Sequence, residues 1–169
     1  MKRILVTLVC LLGAIGCGEA TSSGGSSSAG SSPSASASAS PSGSAALPDP
    51  CQLVTHADAE TVAGSPLQDA VEGNPNNPSC TYTAKPTDPT AQVETHLGDG
   101  AKKTYDIDVA LKHTFTDVPG LADEAHAETN AIFFRKGQLW VSIAVLDHRT
   151  SEENARLLLA LAGKVAALI

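Results

Sequence analysis

No stretch of this 169-residue chain is apolar for long enough to cross a bilayer. The longest such run, "ILVTLVCLLGAI" from Ile4 to Ile15, holds 12 residues, whereas a spanning helix needs about 20. A second apolar stretch near the C-terminus is broken by Gly163 and Lys164. Basic residues are scarce, with 11 Lys and Arg against 18 Asp and Glu. Phosphate backbones need a basic face, and none is visible, so nucleic acid is excluded as a partner. Nucleotide hydrolysis is excluded too. The letters "DEAH" occur at Asp123–His126, but no phosphate-cradling G-x-x-x-x-G-K-[ST] loop accompanies them, and "GDGAKKT" (98–104) lacks its spacing. A G-x-S-x-G nucleophile elbow is also missing. His56, His96, His113 and His148 scatter over expected caps, strand ends and loops. No catalytic residue, metal site or cofactor is therefore assigned.

What is present begins with an export pattern. Lys2 and Arg3 precede the uncharged run, which has the length of a signal-peptide apolar region. Ala14-Ile15-Gly16-Cys17 then resembles the lipobox of bacterial lipoproteins, with Ala14 where Leu is usual. The resemblance implies that residues 1–16 are removed, that Cys17 carries diacylglycerol, and that the protein is held at the outer face of the cell membrane. One acyl chain anchors only marginally, so stable attachment needs at least two.

Residues 18–46 are almost wholly Ser, Ala, Gly and Pro, with Glu19 the only charge. Nothing larger than Ala is available to bury, so this segment cannot offset its ordering entropy. As a coil its 29 residues span roughly 30 Å. The chain thus divides into a signal peptide (1–16), a lipidated Cys17 with its tether (17–46), and one domain (47–169). Removing Lys2 and Arg3 lowers the basic count from 11 to 9, giving the mature chain a net charge of −9.

Within 47–169, Thr55 and Asp58 form a capping box for a short helix that Gly64 stops. Residues 64–79 read as a loop with three prolines, and 80–84 and 91–97 as strands around a proline-bearing turn. Residues 100–112 carry both signatures. Tyr105, Ile107, Val109 and Leu111 alternate as in a strand, yet Ala101/Tyr105/Val109 and Ile107/Leu111 stand at helical spacing, and helix is the assignment. A turn at 117–125 leads to a short strand and then to a hairpin bent at Lys136-Gly137. On its second strand Leu139, Val141, Ile143 and Val145 share one face, and Trp140, Ser142 and Ala144 the other. Thr150 and Glu153 box the start of a final helix, with Ala155, Leu158, Leu159, Ala162, Val165, Ala166 and Ile169 at helical spacing. The order α-β-β-α-β-β-β-α gives an α+β fold, an antiparallel sheet with helices packed on one face.

Cys51 and Cys80 are the only cysteines of this domain. An oxidising compartment and an even count point to a disulfide, and only one pairing is open. Zinc is the rival, but two further ligands are not offered nearby.

Asp49-Pro50-Cys51, Cys80-Thr81-Tyr82, Val118–Leu121 and Asp123–Ala125 together resemble an actinobacterial lipoprotein family catalogued as domain of unknown function 3558. Ala122 stands where that family often has Gly. The resemblance covers essentially all of 47–169. It implies export, the disulfide and the helix at 100–112, and it brings no established activity and no catalytic residue.

Three features remain as candidate sites, each with a plainer reading beside it. Glu124, His126 and Glu128 project from one face of a strand, which suits a metal or a solvated surface. The loop Asn74–Ser79, stiffened by prolines beside Cys80, suits recognition or mere connection. Trp140 suits a binding anchor or packing. The function expected is that of a non-enzymatic envelope lipoprotein binding a partner protein or small ligand. A lipid or glycolipid carrier with an internal cavity and an envelope hydrolase are the alternatives.

Overall fold

The computed structural model describes residues 47–169. The signal peptide, Cys17 and the tether lie outside the described residues. A seven-stranded sheet runs through the described part, antiparallel at every pairing. Its strands are β1 (Val71–Glu72), β2 (Ser79–Thr83), β3 (Gln92–Leu97), β4 (Thr116–Asp117), β5 (Glu124–Ala127), β6 (Ala131–Lys136) and β7 (Leu139–Leu146). They stand in the order β1-β2-β3-β7-β6-β5-β4. The α+β class and the antiparallel sheet are as the sequence reads. The two-residue strands β1 and β4 at the edges are not legible in it, because two residues carry no periodicity.

Side-chain alternation decides the layers. In the central register Val93 faces Val145, Thr95 faces Ile143 and Leu97 faces Val141, and all six are buried on one face. Ile132 and Phe134 of β6 join them. This face is covered by α2 (His56–Ala63) and α4 (Ser151–Leu168), with α1 (Pro50–Leu53) at its end. Both expected capping boxes form, Thr55 with Asp58 and Thr150 with Glu153. Gly64 closes α2 in the left-handed region, at φ 65°, where a side chain would be strained.

The α4 stripe departs from its expected positions only at Ala155 and Leu159, which are exposed while Asn154 and Leu161 are buried. Asn154, Leu158, Leu161, Ala162, Val165 and Ala166 are buried, while Leu159 is 45% exposed. Lys136 at the end of β6 donates to the Ala166 carbonyl at 2.7 Å and to that of Ile169, satisfying acceptors that a helix end leaves open.

Cys51 and Cys80 are bonded, joining α1 to β2 across 29 residues with their Cα atoms 5.2 Å apart. Tyr82 reinforces this junction, its hydroxyl donating to the Val54 carbonyl at 2.9 Å.

Residues 99–110 settle as a helix, α3 (Asp99–Ala110). Here the one-sided packing of helices needs correction. Ala101, fully buried, packs with Ala131, Phe133 and Trp140 on the opposite face from α1, α2 and α4. The reason lies in β6 and β7, where Phe133 and Trp140 alternate away from the main core. Two large aromatic rings left open to water would be costly, and α3 covers them.

Candidate functional site

Four of the chain's six Phe, Tyr and Trp residues meet on the α3 side of the sheet. Tyr105 of α3 lies at their centre. Its ring stacks on Trp140 at 5.3 Å and on His126 at 5.0 Å, the latter only 13° from parallel, and meets Phe115 edge-on at 5.2 Å. Lys102 sits over the Trp140 ring, 5.5 Å from its centroid. Trp140 is thus packed at 8% exposure, and the exposed-anchor reading fails for it.

At the rim of this cluster the turn between β4 and β5 opens a cleft of about 590 Å³. Its walls are the expected signature residues, Val118, Pro119, Gly120, Ala122 and Asp123–Ala125, together with Asp117 and His126. Gly120 allows the bend, at φ 84°. The Val118 amide donates to the Ala125 carbonyl at 2.9 Å and closes the turn.

Charge in the cleft is organised around one imidazole. His126 Nδ1 lies 2.9 Å from Asp117 Oδ1, and its Nε2 lies 3.2 Å from Glu124 Oε1. Both contacts are hydrogen bonds only when both ring nitrogens carry protons. The other Glu124 oxygen accepts from Arg135 Nε at 3.2 Å. The hydrogen bond from His126 is the largest influence on Glu124 and, with Arg135, outweighs burial to hold its carboxyl below the ordinary 4.5. Asp123 accepts from the Gly137 amide at 2.7 Å and pins the β6–β7 hairpin to the turn. Burial, then the charges of Glu124 and Asp117, push the Tyr105 phenol above its ordinary value. Asp117, Asp123 and Glu124 outnumber Arg135 and a doubly protonated His126, so the cleft keeps an excess of negative charge. A cationic group fits it; a phosphate does not.

The family model described as a protein of unknown function (DUF3558) matches residues 12–147. The chain belongs to this family. No curated protein and no solved structure gives a significant match. Within this DUF3558 chain the matched stretch contains the disulfide, α3 and the whole signature turn, and stops short of α4.

The expected trio of Glu124, His126 and Glu128 does not gather as one set of ligands among the described residues of this DUF3558 domain. Strand β5 ends at Ala127, and the Glu128 amide donates to the Ala131 carbonyl in the turn that follows. Glu128 stands opposite Ala131, which belongs to the α3-side cluster, and so keeps to the same side as His126. Its carboxylate instead meets His113 Nδ1 at 2.8 Å, beside Asp108.

The loop at 74–79 is held by its own geometry, the Asn74 side chain accepting from the Asn76 and Asn77 amides at 3.0 and 3.1 Å. It divides two open clefts of about 400 and 510 Å³. A methyl group at Gly100 would overlap Asn77 Oδ1, so Gly100 lets the loop close on α3. No array of charged groups comparable to that around His126 converges on it.

His56 reaches the Leu67 carbonyl at 3.1 Å, and His96 pairs with Glu94 at 3.0 Å. Among the described residues no histidine nitrogen is hydrogen-bonded to a Ser or Thr hydroxyl. Asp117, Tyr105 and Arg135 escaped the sequence reading. The only sequence signal for Asp117 was its place directly before the signature turn.

Proposed function

We propose that this protein is an exported envelope lipoprotein, held at the outer face of the cell membrane by lipid on Cys17. Its domain acts as a non-enzymatic binding module for a partner protein or small ligand that presents a positive charge. The observation carrying this reading is the open cleft walled by the signature turn, where Asp117, Asp123 and Glu124 gather about His126 while Ala125 anchors the turn in the core. The disulfide supports an oxidising compartment. Binding is favoured over hydrolysis because both ring nitrogens of His126 are engaged by carboxylates and none by a Ser or Thr hydroxyl.

Native mass spectrometry on the full chain, gently extracted from its own membrane, tests this. The expected mass lacks residues 1–16 and two hydrogens at Cys51–Cys80, and carries two or more acyl chains that Cys17→Ser abolishes. An unacylated mature chain would sink the anchor. A co-purifying lipid would replace the binding module with a carrier. A photo-reactive group at Asp117 should cross-link a partner or ligand with a cationic segment, and an anionic one would overturn the cleft assignment.

A further inference from the structure

We propose that Asp108, His113 and Glu128 form a binding site for a divalent transition-metal ion of the zinc class. The three come from the last turn of α3, the segment just after it, and the turn that follows β5. Their ligand atoms all lie within 4.8 Å of one another. His113 Nδ1 is 2.8 Å from Glu128 Oε2 and 3.8 Å from Asp108 Oδ1.

The end of α3 places His113. The Lys112 amide donates to the Val109 carbonyl and the His113 amide to that of Asp108, each at 3.0 Å, which is the Schellman closure of a helix. Lys112 occupies its left-handed position at φ 63°, the one non-glycine residue with positive φ among the described residues. This closure folds His113 back over the Asp108 side chain.

A second observation points to a cation. The side chains of Asp108 and Glu128 are only 15% and 18% exposed, yet no Lys or Arg nitrogen of the described residues lies within 4.0 Å of either. Glu128 has His113 as its hydrogen-bond partner. At 3.8 Å the same nitrogen is too far to bond Asp108, whose carboxylate accepts no hydrogen bond from any described residue. Two partly buried carboxylates share one imidazole between them, which offsets at most one of their two negative charges. A divalent ion offsets both.

Donor chemistry narrows the ion. One imidazole and two carboxylates suit zinc and its neighbours better than the all-oxygen shells of magnesium and calcium. Zinc bonds of about 2.0–2.2 Å place tetrahedral ligands roughly 3.3 Å apart. Reaching that needs the widest pair to close by about 1.5 Å and the His113–Glu128 contact to open slightly, which side-chain rotation supplies. The His113 side chain is 44% exposed, leaving a fourth position for water. Binding displaces the Nδ1 proton.

Isothermal titration of the full chain in detergent with zinc chloride tests the site. One equivalent should bind at micromolar Kd or tighter and raise Tm by about 5 °C at saturation, with magnesium inert. His113→Ala, Asp108→Asn and Glu128→Gln should each weaken binding at least tenfold, and His148→Ala should leave it unchanged. Glu128→Gln retains a hydrogen-bond acceptor for His113, and circular dichroism confirms that it is folded before titration. Absence of zinc binding, or zinc binding that survives both His113→Ala and Glu128→Gln, would overturn the assignment.

Discussion

The two faces of the sheet solve different problems with the same strands. On one face aliphatic side chains from β3, β6 and β7 meet α2 and α4, and a disulfide ties α1 to β2. On the other, α3 lies over a small patch in which Ala101, Ala131, Phe133, Trp140 and Ser142 are buried. The large face holds the domain together. The small face brings aromatic rings, histidines and carboxylates to the surface, and the signature turn lies beside it. Stability and candidate chemistry are thus separated by the thickness of one sheet, and substitutions on the two faces should differ in kind.

The largest effect is expected from Phe134→Ala, on the aliphatic face with no exposed surface. It should cost about 3–5 kcal/mol in urea unfolding. A loss below 1 kcal/mol would mean that this face is not the main store of stability. Close behind, replacing both Cys51 and Cys80 by Ala should cost roughly 3–4 kcal/mol, since a 29-residue loop is then released in the unfolded chain. The midpoint of denaturation with and without reductant checks it.

Asp147→Asn should cost about 1–3 kcal/mol. Its side chain is 3% exposed, accepting from Arg149 at 2.8 Å and from Asn154 at 2.9 Å. Burial pushes this carboxyl up, but the hydrogen bonds from Asn154 and Arg149 outweigh it, so the folded value lies below the ordinary 3.8. Its contribution is therefore complete above pH 3.8 and is lost as pH falls through the lower folded value. Unfolding followed down the acid limb should show a shallower loss for Asp147→Asn than for the parent.

On the α3 face, Tyr105→Ala should cost about 1–2 kcal/mol globally. Hydrogen exchange should quicken in α3 and β5 while α2 and α4 keep their protection. Loss of protection throughout would erase the distinction between the faces. The smallest change is expected at Thr95. Its hydroxyl is buried on the aliphatic face without a partner, so Thr95→Val should be neutral or stabilise by up to about 1 kcal/mol.

Local rules were enough where a few adjacent residues decide a conformation. Thr55 with Asp58 and Thr150 with Glu153 each state a helix start, Lys136-Gly137 states a hairpin, and alternation from Leu139 to Val145 states a strand with two faces. The Cys51–Cys80 bond followed from counting, because no other pairing was open within the domain.

Only the tertiary structure decided which face α3 covers, since its burial of a single residue, Ala101, leaves almost no amphipathic signal. It alone brought Glu128 to His113, 15 residues away in sequence. Charges at such separations meet through the packing of a helix on a sheet, which sequence spacing does not encode.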